Sequence, residues 1–310
     1  MSDTQSAIDV QAVTKRFGRF KAVHDITFTV PHGQVVGFVG ANGAGKTTTI
    51  SMLMGFLAVS EGKISVADQP VTTGRAHKVH RSVGYAAGDM ELPSGLTGEQ
   101  YLDFLLSQSK GDHTETTAML LKRFKPQLNK KIKSLSRGNK QKIALVAAFA
   151  TDPDVIILDE PTSGLDPVMQ EAFLDYVREL KMAGKTVFMS SHYLQEVTEV
   201  CDRIILMSHG KIVEDLMKDE LLKNSGKHIT IRTGYQHTKP PRGSESAEST
   251  MKDDVLTISF VYKGDVEALQ RWLAGVKRLV DVEISEYNLE GAFSSLYESE
   301  TGDNEEGDEI

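Results

Sequence analysis

Residues 40 to 48 read GANGAGKTT, a run whose glycines and Lys-Thr pair fit the spacing G-x-x-x-x-G-K-S/T. That pattern suits one kind of chemistry. With no side chains at Gly40, Gly43 and Gly45, the backbone can wrap closely around a triphosphate, so that consecutive N–H groups and a helix N-terminus point at negative charge. The stretch from Gly40 through Ala41, Asn42, Gly43, Ala44 and Gly45 to Lys46, Thr47 and Thr48 is therefore the expected nucleotide-binding segment. Lys46 would reach the β- and γ-phosphates, and the Thr47 hydroxyl would ligate Mg²⁺. A match this short can arise by chance, and its flanks decide. Val35 to Val39 reads as a buried strand before it, and Thr49 to Met54 as the start of a helix after it. The expectation is a nucleoside triphosphate site.

A second pair of groups completes the chemistry. Val155 to Leu158 is wholly aliphatic and ends in Asp159-Glu160. Asp159 is placed to hold Mg²⁺ beside Thr47, and Glu160 to accept a proton from an attacking water or to orient it. His192 follows the apolar run Thr186 to Met189, at the strand edge where ligands bind in open α/β sheets. Its imidazole is a candidate γ-phosphate contact; a packing or surface histidine is the plain alternative. Phe17 and Phe20 are the aromatics just upstream of the loop, either of which could stack on a purine or pack on the core.

The elements that must position these groups can be read from period and punctuation. Ile8 to Val13 and Ala22 to Val30 read as strands, with Thr14 to Phe20 as a turn between them; 63 to 71 reads as a further strand and Val83 to Tyr85 as a short one. Residues 92 to 150 are helical, with Tyr101, Leu102, Leu105 and Leu106 at helical spacing, and read as an inserted subdomain. Nine lysines and arginines and no acid lie between 122 and 142, which fits either an anion-contacting face or a solvated one. From 155 onward strands alternate with helices: Asp166-Pro167 opens a helix carrying Met169, Phe173, Tyr176, Val177 and Leu180, another helix runs from about Tyr193 to Val200, and Arg203 to Met207 is a strand. This is the pattern of a parallel, doubly wound sheet. After about 222 the pattern changes. Residues 223 to 227 read as a linker, 228 to 297 as a small α+β domain, and 239 to 250 as a long polar loop within it. The α+β domain has strands at His228 to Thr233, Asp254 to Tyr262 and Val280 to Ser285, and helices at Val266 to Val276 and Leu289 to Tyr297.

Composition narrows the function class. With 310 residues, 40% hydrophobic and 25% charged, the chain is long enough for two globular domains. The net charge of −8 is concentrated in a tail, 298 to 310, that carries seven acids and no base and reads as disordered. The remaining body is close to neutral, which argues against broad nucleic-acid binding. The longest purely apolar run, Ile143 to Ala150, is far short of the ~18 residues of a spanning helix. The N-terminal MSDTQSAIDV lacks the features of a signal peptide, and the single cysteine, Cys201, excludes an internal disulfide and fits a reducing cytoplasm.

Over roughly residues 8 to 215 the ordered set resembles the ATP-binding subunit of an ABC transporter. The phosphate loop, the Val155-to-Pro161 strand with Asp159 and Glu160, the D-loop residues Ser163, Gly164, Leu165 and Asp166, and a switch histidine at His192 all stand in the family's order. Leu135-Ser136-Arg137-Gly138-Asn139 occupies the place of the LSGGQ signature, with Arg137 and Asn139 in place of Gly and Gln. The resemblance implies an α/β P-loop NTPase of the ABC-ATPase type over residues 1–222. Its parts are a parallel core sheet, an N-terminal antiparallel β subdomain and the inserted helical subdomain, with the small α+β domain following. It implies adenine stacking on Phe17, and ATP and Mg²⁺ as ligands. It also implies a head-to-tail dimer, homodimeric or with a related subunit, in which Ser136, Arg137, Gly138 and Asn139 approach the partner's ATP. A separate transmembrane permease would place the chain in the cytoplasm, on the inner face of the cell membrane. The signature's wording and the C-terminal extension resemble the export-type branch. One departure stands out: Gly88 falls where the family has a glutamine, with Asp89 or Glu91 nearby. Two alternatives remain: a soluble ABC-family ATPase of ribosomes or nucleic-acid machinery, and a degenerate module that binds ATP without hydrolysing it.

Overall fold

The computed structural model describes residues 6–88 and 91–286, without the side chains of 222–225 and 286. Asp89, the expected helix at Leu289 to Tyr297 and the acidic tail lie outside the described residues. Contacts divide the chain into two compact units that meet in sequence at Leu216 and Met217.

The first unit opens with β1 (Ser6–Phe17) and β2 (Phe20–Pro31), paired antiparallel from Ser6↔Pro31 to Phe17↔Phe20. The turn expected over 14 to 20 is thus only two residues long, and the strands run on through both phenylalanines. The ladder supplies the reason: Lys15 to Phe17 pair with Val23 to Phe20 across the hairpin instead of leaving their backbone groups to water. After β3 (Val35–Val39) and α1 (Lys46–Leu53), β4 (Glu61–Val66) and β5 (Gln69–Pro70) form a small hairpin where one strand was expected. Ala67 and Asp68 turn it, both with positive φ. The resulting antiparallel sheet has the order β2-β1-β4-β5.

The second sheet carries the site. A short helix α2 (Ala76–His80) leads to β6 (Val83–Ala87). Helices α3 (Gly98–Ser107), α4 (Thr114–Phe124) and α5 (Arg137–Phe149) follow, and then come β7 (Val155–Asp159), α6 (Pro167–Met182), β8 (Thr186–Ser191), α7 (Leu194–Val200), β9 (Arg203–Ser208) and β10 (Lys211–Met217). The six strands lie in the order β10-β9-β3-β8-β7-β6, with β6, β7, β8, β3 and β9 parallel. Every residue of β3, β7 and β8 is buried, as the apolar runs at their centres require when a sheet is covered on both faces. The two sheets are joined by three rings, Phe28 of β2, Phe38 of β3 and Phe188 of β8, with centroids 5.3 to 6.0 Å apart. A second aromatic joint, Phe124, Phe149 and Tyr176, ties α4 and α5 to α6. Burial there pushes the Tyr176 phenol up to about 12. Cys201 is fully buried in the core.

The second unit begins with α8 (Lys218–Ser225), so the stretch expected as a linker instead closes a helix and opens β11 (Lys227–Thr233). Its sheet runs β12-β13-β11-β14, all antiparallel, with β12 (Ser244–Lys252), β13 (Val255–Tyr262) and β14 (Leu279–Glu286). β12 corrects the expected polar loop. Its sequence SESAESTMK has no apolar alternation because it is an exposed edge strand, held by ladder bonds to β13 and not by burial. Helix α9 (Val266–Gly275), capped by Asp265 at the Ala268 N–H, covers Ile229, Ile231, Ile258 and Phe260, with Trp272 edge-on to Phe260 at 5.4 Å.

Candidate functional site

The parallel strands end together. Register pairs Val39 with Ser191 and Ala87 with Asp159, so the phosphate loop, the carboxylate pair, the Gly88 turn and His192 all leave the same edge of the sheet. There they line one cavity of about 700 Å³, shared by Asn42, Gly43, Gly45, Lys46, Thr47 and Thr48 with Gly88, Asp159, Glu160 and His192.

The loop is shaped by what its glycines touch. Gly45 has φ 107°, and a Cβ there would lie 2.8 Å from both the Ala22 carbonyl and the Met207 methyl. Only glycine satisfies both limits. Helix α1 starts immediately afterwards, which aims its first N–H groups into the cavity. Ala44 and Lys46 are buried. The Lys46 ammonium donates to the Gly40 carbonyl at 2.6 Å and the Ala41 carbonyl at 3.3 Å, and lies 3.4 Å from Glu160 Oε1.

Asp159 is buried at the end of β7 and accepts hydrogen bonds from the Ser190 and Thr47 hydroxyls. Burial pushes its carboxyl up from the ordinary value, while those two donors pull it back toward the charged form. Thr47 and Asp159 thus present adjacent oxygens of the kind Mg²⁺ takes from a protein, one carboxylate and one hydroxyl, with phosphates and water supplying the rest. Among the described residues no cluster of three or more His, Cys, Asp or Glu offers an all-protein metal cage.

Glu160 adopts φ 50°, a conformation that costs a non-glycine residue on the order of 1–3 kcal/mol. Its N–H donates to Ser190 Oγ at 3.0 Å, and its carboxylate bridges the Lys46 ammonium through Oε1 and the His192 ring, at Nδ1, through Oε2. The twist at 160 turns this side chain out of the strand and into the cavity. The His192 ring in turn packs against Tyr193, tilted 44° with centroids 3.9 Å apart.

Other expected residues are placed less directly. Phe17 and Phe20 both line the cavity mouth and both are exposed, with Lys15 Nζ 5.0 Å from the Phe17 ring centroid. Ser136 caps α5 by accepting from the Asn139 N–H, and Asn139 Oδ1 accepts from the Gln127 N–H, so Asn139 supports the turn before the helix. Ser136, Gly138 and Asn139 do not line their own chain's cavity; Arg137 and Ser163 do. Leu165 is buried, and Asp166 caps α6. Gly88 donates its N–H to the Asp159 carbonyl at 2.6 Å, and a Cβ at 88 would fall 2.7 Å from the Glu160 carbonyl oxygen. A glutamine side chain has no room on this backbone. Glu91 is exposed.

The sequence reading missed Ser190, Thr162 and Glu196. Glu196 of α7 accepts from the Thr162 and Ser191 hydroxyls, tying the segment after the carboxylate pair to the segment before His192. Burial pushes its carboxyl up, against the pull of those two hydroxyls. The available signal was the Ser-Ser doublet ending an otherwise apolar strand next to a histidine.

Residues 23–163 match the ABC transporter family. The chain is 36% identical over 232 residues to the uncharacterized ABC transporter ATP-binding protein YhaQ of Bacillus subtilis, covering 73% of this chain and 76% of that one. It is 33% identical over 214 residues to Nod factor export ATP-binding protein I of Burkholderia lata, covering 67% and 70%. A solved ATP-binding subunit of an ABC transporter superposes with a TM-score of 0.66 at 27% identity, covering 71% of this chain and 93% of that one. Sequence, fold and cavity therefore agree: the chain belongs to the family of ABC transporter ATP-binding proteins.

Proposed function

We propose that this protein is the ATP-hydrolysing subunit of an ABC transporter, working as a head-to-tail dimer around two ATP molecules and driving a separate membrane permease. One observation carries the reading: the Glu160 carboxylate is held between Lys46 and His192, beside the Asp159–Thr47 oxygen pair, in a cavity fronted by a helix N-terminus. The loop N–H groups and Lys46 orient the triphosphate, and the aromatic pair Phe17 and Phe20 offers a stacking surface for the purine. Thr47 and Asp159 would hold Mg²⁺, which neutralises charge on the phosphates. Glu160 accepts the proton of an attacking water, and His192 fixes the carboxylate and faces the γ-phosphate. Ser136 to Asn139 and Ser163 to Asp166 would meet the partner subunit.

No helix among the described residues is long and apolar enough to cross a membrane. A permease on a separate chain would hold this one at the membrane's inner face. The relative named for Nod factor export supports an export direction. Gly88, in place of the family's glutamine, favours a second reading, a switch that binds ATP without turnover. One assay separates the two. Purified chain is expected to hydrolyse MgATP, with Glu160→Gln slowed about 10²–10⁴-fold and trapped as an ATP-bound dimer in light scattering. Tight ATP binding without wild-type turnover would favour the switch, and a monomeric Glu160→Gln in ATP would sink the dimer.

A further inference from the structure

Two of the departures from the family pattern, Arg137 and Gly88, meet at one loop. Residues 160 to 166 run between β7 and α6, and the first turns of α5 grip this loop within the same chain. Arg137 Nη2 donates to Ser163 Oγ at 2.8 Å. The Arg137 stem lies across Gly164, where a Cβ would come 3.1 Å from Arg137 Cγ. Gly138 packs so closely on the Gly164 carbonyl that a Cβ would lie 2.5 Å from it. Deeper in, the buried Gln141 side chain donates to the Pro161 carbonyl at 2.9 Å, and Lys142 stands 3.8 Å from Asp166. These positions are spaced as one face of a helix. From the other side Gly88 presses on the same loop, with the site of a Cβ only 3.2 Å from Ser163 Cβ. Arg137, Ser163 and Gly88 all line the cavity that holds Lys46 and Glu160.

We propose that Arg137 is a positioning residue that acts in cis. Through Ser163 and Gly164 it fastens the D-loop to the signature helix of its own chain, and so fixes the wall of its own nucleotide cavity. A glycine at 137 could not do this, because it has no donor and no stem. A side chain at 88 would push the loop off this seat, so the arginine and the glycine are matched. The consequence for catalysis rests on the proposed dimeric ATPase: two surfaces that face the partner subunit then move as one body.

The test begins without nucleotide or dimer. In the apo chain, hydrogen–deuterium exchange of the 161–166 segment, whose Ser163 and Leu165 amides are bonded to the Glu160 and Thr162 carbonyls, is expected to speed up about tenfold in Arg137→Ala. Ser163→Ala should match it, Arg137→Lys should fall between, and the β3 segment should stay at the wild-type rate as the folding control. Unchanged exchange at 161–166 overturns the proposal. In MgATP turnover, each single substitution should lower kcat with KM within about twofold, and the double variant Arg137→Ala/Ser163→Ala should be no slower than either. Multiplying losses would mean that the two residues act independently, and would overturn it as well. A wild-type chain with no turnover would instead defeat the ATPase reading, while the exchange result would still decide the cis contact.

Discussion

The six-stranded sheet of the first unit and the four-stranded sheet of residues 227–286 are each built over an apolar core, yet only the first gathers charge. The cause is strand direction. Parallel strands deliver all their C-terminal ends to one edge, and there Lys46, Gly88, Glu160 and His192 arrive within one cavity. In the antiparallel sheet successive ends alternate between the two edges, so loop residues that follow neighbouring strands are kept apart. Its polar side chains serve local ends: Asp265 caps a helix, and the Trp272 indole donates to the Lys239 carbonyl.

Each of four substitutions or pH series bears on that contrast. Phe260 is fully buried against Trp272, and Phe260→Ala should destabilise the second unit by about 3–5 kcal/mol. Calorimetry should show one transition moved down while MgATP turnover of the first unit stays within about twofold; a collapse of turnover would make the second sheet part of the catalytic machinery. Lys46→Ala should have the opposite profile, with turnover down about 10²–10³-fold and little change in melting. Gly88→Ala forces a methyl against the Glu160 carbonyl and should cost about 1–3 kcal/mol of stability, with turnover falling alongside. If Gly88→Ala melts like wild type, the close seating of that turn is wrong.

The smallest expected effect is a pH slope. Because burial holds the Asp159 carboxyl above its ordinary value of 3.8, its contribution to apo stability is complete below that value and is lost as pH rises through the raised one. Asp159→Asn should therefore flatten the fall of apo melting temperature with rising pH above about pH 4. An unchanged slope would mean that the Ser190 and Thr47 donors already offset the burial in full.

What the sequence revealed follows the same division. The phosphate loop and the Asp159-Glu160 pair were legible because their chemistry demands contiguous residues at fixed spacing. The strands β3, β7 and β8 were legible because burial on both faces gives each an unbroken apolar run, Val35 to Val39, Val155 to Leu158 and Val187 to Met189. β12 was not, since an exposed edge strand is written by its partner's ladder and not by its own pattern. Nor was the tight hairpin at Phe17 and Phe20, where pairing extended two strands beyond their apolar runs. Ser190 and Glu196 escaped because a hydroxyl or carboxylate in a strand or helix has many uses, and only the fold shows that these face Asp159 and Thr162. Arg137 was expected to reach toward a partner's nucleotide, and the fold adds its hold on Ser163.

Ser190 stands between the two carboxylates, and its hydroxyl has a direction. Its one hydrogen is committed to Asp159, and its oxygen takes the Glu160 amide. Turning the hydrogen elsewhere would strip one of two hydroxyl donors from the buried carboxylate and shift it toward its protonated form, against the remaining pull of Thr47 and Lys46. A protonated acid is a poorer metal ligand, so the orientation of this O–H bond would bear on how readily Thr47 and Asp159 hold a cation. The same oxygen holds the backbone of Glu160 in its twist. A threonine at 190 would preserve this polarity and an alanine would erase it, so metal loading and base alignment should fail together rather than one at a time.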